Sequence, residues 1–209
     1  MNARPIQRPP RVPTRRAAWS FVAALGLLAA GLASSTAAGE SLTGGTKDLT
    51  FAGGFSISHN FASTVAGISG FQVLPHLGLF VTDEWGPGWA RGNLELIAEP
   101  TFLHLDTRKS TNHVGASGIA RWVLTGSGRV RSYVELGVGL IVGESGIPQT
   151  TCDPTFVLQA GVGALFFFSP MDAVTLGYRF QHLSNAAVCT PNPGFNSSVF
   201  ILGLSHFFP

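Results

Sequence analysis

From residue 50 onward, apolar positions alternate with polar or small ones in short runs, each closed by residues such as Gly, Pro, Ser or Asn. Successive side chains of a strand point to opposite faces, so this alternation marks strands lying between two different environments. Eight segments are read this way: 50–60, 70–82, 92–104, 112–124, 130–142, 155–168, 172–184 and 197–208. Their length suits a tilted strand, which crosses a bilayer in ~9–11 residues. In the fifth segment Val134, Leu136, Val138 and Leu140 form one row, against Tyr133, Glu135, Gly137 and Gly139. In the sixth, Phe156, Leu158, Ala160, Val162, Ala164, Phe166 and Phe168 oppose Gln159, Gly161 and Gly163. In the last, Phe200, Leu202, Leu204 and Phe208 oppose Gly203 and Ser205. The pattern predicts an all-β chain, an eight-stranded antiparallel transmembrane β-barrel with an apolar outer wall. An interior of this strand number is filled by side chains. Glu95, Glu99, Arg121, Glu135 and Arg179 fall on the inner rows and are expected to pair there.

Composition agrees. Charged residues make up only 11% of the chain, against roughly 25% in an ordinary soluble domain. Beyond the first segment of the chain no run approaches the ~18 apolar residues of a spanning helix. That first segment reads as a leader. Arg15 and Arg16 close a basic stretch, Ala17–Ala33 is apolar, and Ser35, Thr36, Ala37 and Ala38 are small. Residues 1–38 are therefore expected to be a signal peptide cleaved near Ala37 or Ala38, and 39–209 the barrel. The residues around Arg15-Arg16 match a twin-arginine signal poorly, so the general secretory route is expected. The net charge of +2 draws on Arg4, Arg8, Arg11, Arg15 and Arg16 of the leader and does not point to nucleic acid.

Connections orient the barrel. Those after the fourth and sixth segments (125–129 and 169–172) are short, and those after the third, fifth and seventh are longer. Short turns belong to the periplasmic side and long loops to the outside. The Trp-, Gly- and Pro-rich stretch 83–91 runs against this, being long for a periplasmic turn. With both termini periplasmic, the seventh segment runs outward and ends level with the outer leaflet, which in a Gram-negative outer membrane is lipopolysaccharide. Cys152 and Cys189 then lie in loops on one side of the membrane. An oxidising compartment permits a disulfide between them, and spacing alone leaves it open. Trp122, Tyr178, Phe207 and Phe208 are expected in interfacial girdles.

The candidate chemistry sits at the end of the seventh segment. Val174, Leu176, Tyr178, Phe180, His182 and Ser184 share one row, with Thr175, Gly177, Arg179 and Gln181 on the other. A potential base and a potential nucleophile thus end the row that faces lipid, a placement suited to an enzyme acting on lipid. The stretch His182-Leu183-Ser184-Asn185, followed by Pro191-Asn192-Pro193-Gly194, resembles the active-site segment of the lipid A 3-O-deacylase (PagL) family. His182, Ser184, Asn185, Asn192 and Gly194 match that pattern without a gap. Where the pattern carries an acidic residue, fourteen positions after the histidine, this chain has Asn196.

The resemblance implies an outer-membrane serine esterase that removes the 3-O-linked acyl chain of lipid A. Ser184, His182 and Asn196 would form the triad. An amide oxygen can orient the imidazole but supplies no full negative charge. Asp153, the nearest carboxylate, lies in another loop. Asn185, Asn192, Gly194 and the backbone at Ala187 would orient substrate or stabilise the oxyanion. No cofactor or metal is required. His59, His76, His104, His113 and His206 are scattered without ligand spacing, although a calcium ion bound to lipid phosphates is left open. The alternatives are a non-catalytic structural or adhesive barrel, with Asn196 marking lost activity, and a phospholipid esterase.

Overall fold

Strands that alternate apolar and polar faces cannot stand alone with open edges in hydrocarbon, because every backbone N–H and C=O there needs a partner. The chain meets this by closing on itself. The computed structural model describes residues 42–60, 67–106, 110–126, 128–144, 153–190, 192 and 194–209. The expected signal peptide and Cys152 lie outside these residues. Eight antiparallel strands follow in chain order: β1 (Lys47–His59), β2 (Ser69–Phe80), β3 (Gly92–Asp106), β4 (Thr111–Leu124), β5 (Val130–Gly143), β6 (Thr155–Phe167), β7 (Asp172–Ser184) and β8 (Phe195–Phe208). Each pairs with its neighbours, and β1 pairs with β8 from Lys47↔Phe208 to His59↔Asn196, so no edge remains.

All eight expected strands are present. The first starts three residues earlier and the last two residues earlier than the alternation indicates, because Lys47–Leu49 pair with β8 across the closure and Phe195–Asn196 pair with Leu183 and His182 of β7. The parity also holds. Leu136 and Leu204 are among the most exposed apolar side chains (67% and 61%), whereas Tyr133, Glu135 and Ser205 on the opposite rows are buried.

Two expectations need correcting. The connection after the third strand is short (107–110), because β3 runs on to Asp106 and β4 begins at Thr111. Phe207 belongs to no girdle. It is buried in the lumen against Phe80 and Phe167, at centroid distances of 6.3 and 5.2 Å, since its odd position shares the inward row with Ser205. The long connection 81–91 is ordered by a 3-10 turn at Gly88–Ala90, a bridge between Trp85 and Gly92, and Trp85 packing edge-on against Trp122 at 5.0 Å.

Apolar side chains close both ends of the lumen. Leu42, Phe80, Val123, Tyr133, Leu165, Phe167, Ala173 and Phe207 pack at the end where β1 begins and β8 finishes. Ile68, Leu103, Leu105, Ile141, Val157, Leu183 and Phe195 pack at the other. Between them the five expected charges do pair. Arg179 donates two bonds to Glu99 (2.6 and 2.9 Å) and one to Glu135. Arg121 donates to Glu135 (2.9 Å) and Glu95 (3.3 Å), with its guanidinium 4.3 Å from the Tyr133 ring centre. Tyr133 fits only because residue 163 lacks a side chain. A β-carbon there would collide with the Tyr133 ring and the Leu176 carbonyl.

Candidate active site on the outer wall

The row ending β7 points outward as the alternation requires. Thr175, Arg179 and Gln181 are buried in the lumen, while Tyr178 is exposed and His182 and Ser184 are half-buried on the outer face. Antiparallel register places Asn196 of β8 directly beside His182, fourteen residues apart in sequence. His182 Nδ1 lies 2.6 Å from Asn196 Oδ1. An amide oxygen can only accept, so Nδ1 carries the proton and Nε2 presents its lone pair. That is the tautomer a general base needs. Ser184 shares the outer face with His182, two positions along the strand. Among the described residues no hydrogen bond joins the two side chains.

The described residues that follow Ser184 are tied to one another by their own hydrogen bonds. The Asn185 N–H donates to Asn192 Oδ1 (3.0 Å), and the Asn185 amide donates to the Cys189 carbonyl (3.1 Å). Asn185 is fully buried, so it holds the loop in shape from beneath. Val188 donates to the Asn185 carbonyl (3.0 Å), which puts Ala186 and Ala187 at the centre of a tight turn with φ of 52° and 62°. Left-handed backbone disfavours a β-carbon by roughly 1–2 kcal/mol per residue, and such strain gathers at functional positions. The turn's own bond uses the Val188 amide and leaves that of Ala187 outside it. Gly194 sits against the His182 ring. Its φ is +74°, and a β-carbon there would lie 2.8 Å from His182 Cε1, so only glycine suits the position. Cys189 is disulfide-bonded.

Two residues of this wall escaped the sequence reading. Ser198 accepts or donates at 2.7 Å to His59 Nε2 and at 2.8 Å to the Tyr178 hydroxyl. His59 is the register partner of Asn196 across the β1–β8 closure. Ser198 has the parity of Asn196 and Phe200, a signal the sequence does contain. The adjacency of His59, at the far end of the chain, appears only once the barrel closes. Tyr178 faces outward as a girdle residue would, yet its hydroxyl is engaged with Ser198.

An apolar groove of about 760 Å³ runs along the same wall and reaches His182. Small residues Gly118, Ala120 and Ala160 line it together with the larger Leu136, Leu158 and Phe180. Such a groove can take an extended hydrocarbon chain, and its position brings one end of that chain to the imidazole.

Comparison with known proteins gives a consistent picture. The protein called lipid A deacylase PagL of Bordetella bronchiseptica is 29% identical over 117 residues, covering 54% of this chain and 62% of that protein, so the match spans under two thirds of the relative's length. The crystal structure of the outer membrane enzyme PagL superposes with a TM-score of 0.56 at 18% identity, over 75% of this chain and 97% of that one. Neisserial surface protein A superposes with a TM-score of 0.59 at 12% identity, over 78% and 99%. At these identities the two structures speak for the barrel alone. The family model described as lipid A 3-O-deacylase (PagL) matches residues 75–205, well over half of the chain and all of β7 together with the loop that follows it, and the protein therefore belongs to that family.

Proposed function

We propose that this protein is an outer-membrane serine esterase that removes the 3-O-linked acyl chain from lipid A. The observation that carries the reading is the His182–Asn196 pair, set on the outer wall beside Ser184 where the apolar groove ends. In this reading the barrel crosses the outer membrane with the His182 end outward, so the ester of an outer-leaflet lipid reaches the site without leaving the bilayer.

Ser184 Oγ attacks the ester carbonyl while His182 Nε2 takes its proton, and Asn196 Oδ1 holds the ring through Nδ1–H. The tetrahedral oxyanion needs donors set in advance. The Asn192 amide, whose oxygen is already engaged by Asn185, and the Ala187 N–H are the candidates. His182 returns the proton to the sugar oxygen as it leaves. Water, activated by the same imidazole, then cleaves the acyl-serine and releases a free fatty acid. Asn185 and Gly194 shape the loop around these groups.

Mass spectrometry of lipid A from cells producing the protein tests this. Loss of one 3-hydroxyacyl chain supports the reading. Unchanged lipid A would leave a non-catalytic barrel, and release of lysophospholipid would move the activity to phospholipids.

Two further outcomes follow from the geometry. Asn196→Glu restores a full negative charge beside the imidazolium. A neutral third member lowers triad catalysis by orders of magnitude in the serine-protease case, so the rate of this variant is expected to rise about tenfold or more. An equal or lower rate would mean that Asn196 does not act through His182. In the groove, a β-carbon on Gly118 meets nothing within 4 Å, so a larger side chain there projects into the groove without disturbing the wall. The acyl chain is already in hydrocarbon and gains little by transfer, so shape governs its fit. Gly118→Phe is expected to lower kcat/KM for long-chain esters by about tenfold or more while sparing short ones. Equal losses for both lengths would place the chain elsewhere.

A further inference from the structure

We propose that the lumen holds a divalent first-row cation bound by Asp48 of β1, His76 of β2 and Glu95 of β3, toward the end of the barrel opposite His182. The assignment is independent of the esterase reading. Each of the three buried residues offers one ligand atom, and these atoms lie within 4.8 Å of one another. The histidines show no ligand spacing in the sequence, but register joins β1, β2 and β3 so that Asp48 pairs with Gly78, Thr50 with His76, and Phe80 with Glu95.

Charge is unbalanced in this layer. Among the described residues, four buried carboxylates (Asp48, Glu95, Glu99 and Glu135) face two guanidiniums, Arg121 and Arg179, and one imidazole, His76. His76 Nε2 lies 2.9 Å from Asp48 and its Nδ1 lies 3.7 Å from Glu99, so even a protonated His76 leaves the carboxylates in excess. Arg131 is turned toward Glu84 of the connection 81–91. The guanidiniums engage both oxygens of Glu99 and of Glu135 but only Oε2 of Glu95. Glu95 Oε1, on a side chain with no exposure, has no hydrogen-bond partner, and neither does His76 Nδ1. Asp48 Oδ1 accepts from Thr50, and its Oδ2 lies 2.9 Å from His76 Nε2.

Glycine at 78 opens the space. A β-carbon there would collide with Glu95 Oε1 and lie 3.1 Å from Asp48 Cβ. Two carboxylates thus approach one another in a low-dielectric interior with Glu95 Oε1 left without a hydrogen-bond partner, an arrangement that is costly without positive charge beyond that of Arg121 and His76. A cation supplies it.

One imidazole nitrogen and two carboxylate oxygens suit Zn²⁺ better than the all-oxygen shells of Ca²⁺ or Mg²⁺. On binding, the proton shared by His76 Nε2 and Asp48 Oδ2 leaves to bulk water and both atoms become ligands. Apolar clusters close both ends of the lumen, so loading accompanies folding and later exchange is slow.

The full chain, folded into detergent micelles with Zn²⁺ as the probe, washed with chelator and gel-filtered, is assayed for zinc by elemental analysis. Wild type is expected to retain stoichiometric zinc. Glu95→Gln, which keeps an oxygen to accept from Arg121, is expected to retain at least tenfold less. Asp48→Asn supplies a second comparison if that variant does not show the heat-modifiable gel mobility of a folded barrel. His206→Ala, which removes the exposed His206–Asp172 pair, is expected to bind as wild type does. Zinc absent from folded wild type would show that protons alone neutralise the cluster. Zinc equal in wild type and the folded lumen variants, or lost in His206→Ala, would place the metal on the surface. Any of these results overturns the proposal.

Discussion

Alanine in place of Ser184 is expected to lower lipid A deacylation by at least about 10³-fold, leaving a full complement of acyl chains in the mass spectrum. The hydroxyl is the nucleophile in the proposed reaction, and water cannot replace it at the first step without the acyl-serine that splits the barrier in two. The barrel should be untouched. Ser184 lies half-buried on the outer wall and makes no side-chain hydrogen bond among the described residues, so heat-modifiable mobility is expected to match wild type. His182→Ala should fall with it rather than add to it, since nucleophile and base act as one unit. A Ser184→Ala protein that still deacylates would move the nucleophile elsewhere. Ser198, 2.7 Å from His59 Nε2 on the same wall, is the hydroxyl to replace next.

The second large effect concerns stability. Arg179→Met is expected to destabilise the folded barrel by about 3–5 kcal/mol, because it leaves buried carboxylates without their partner. Glu99 would lose both its guanidinium bonds and Glu135 one of its two. Methionine fills much of the volume, so the lost charge pairing rather than a cavity should dominate. Adding Glu99→Gln to Arg179→Met should recover part of the loss, as removing both partners spares the uncompensated charge. Denaturant unfolding in micelles, followed by the gel shift of the folded form, measures both. A loss below about 1 kcal/mol, the range of a surface pair, would mean that water reaches these groups and screens them.

The two predictions draw on faces of the same strands, and the faces differ in how far they were legible. Period-two alternation determines which side chains share a face. The outward placement of His182 and Ser184 and the inward placement of Arg179 follow from counting positions along one strand. Alternation fades where both faces are polar, so the pattern at Phe195-Asn196-Ser197-Ser198 marks the start of β8 two residues late. Phe207 looks like a girdle residue by type, yet its parity points inward, and parity decides its face. The connection 107–110 is shorter than the pattern suggests because Leu105 and Asp106 continue the ladder beyond the last recognisable alternation.

What the sequence by itself determined is therefore the eight strands, their two faces, the pairing of the inner charges and the local motif from His182 to Asn196. Side-chain direction in a strand is a local property of the backbone, and local patterns carry it. Only the tertiary structure decided which residues from distant strands become neighbours. Closure of β1 on β8 set His59 beside Asn196, and the β1–β2–β3 register gathered Asp48, His76 and Glu95. The groove reaching His182 likewise needs five consecutive strands held side by side. These contacts depend on inter-strand stagger and barrel curvature, which arise from the whole hydrogen-bonded sheet and leave no periodic mark in any one segment.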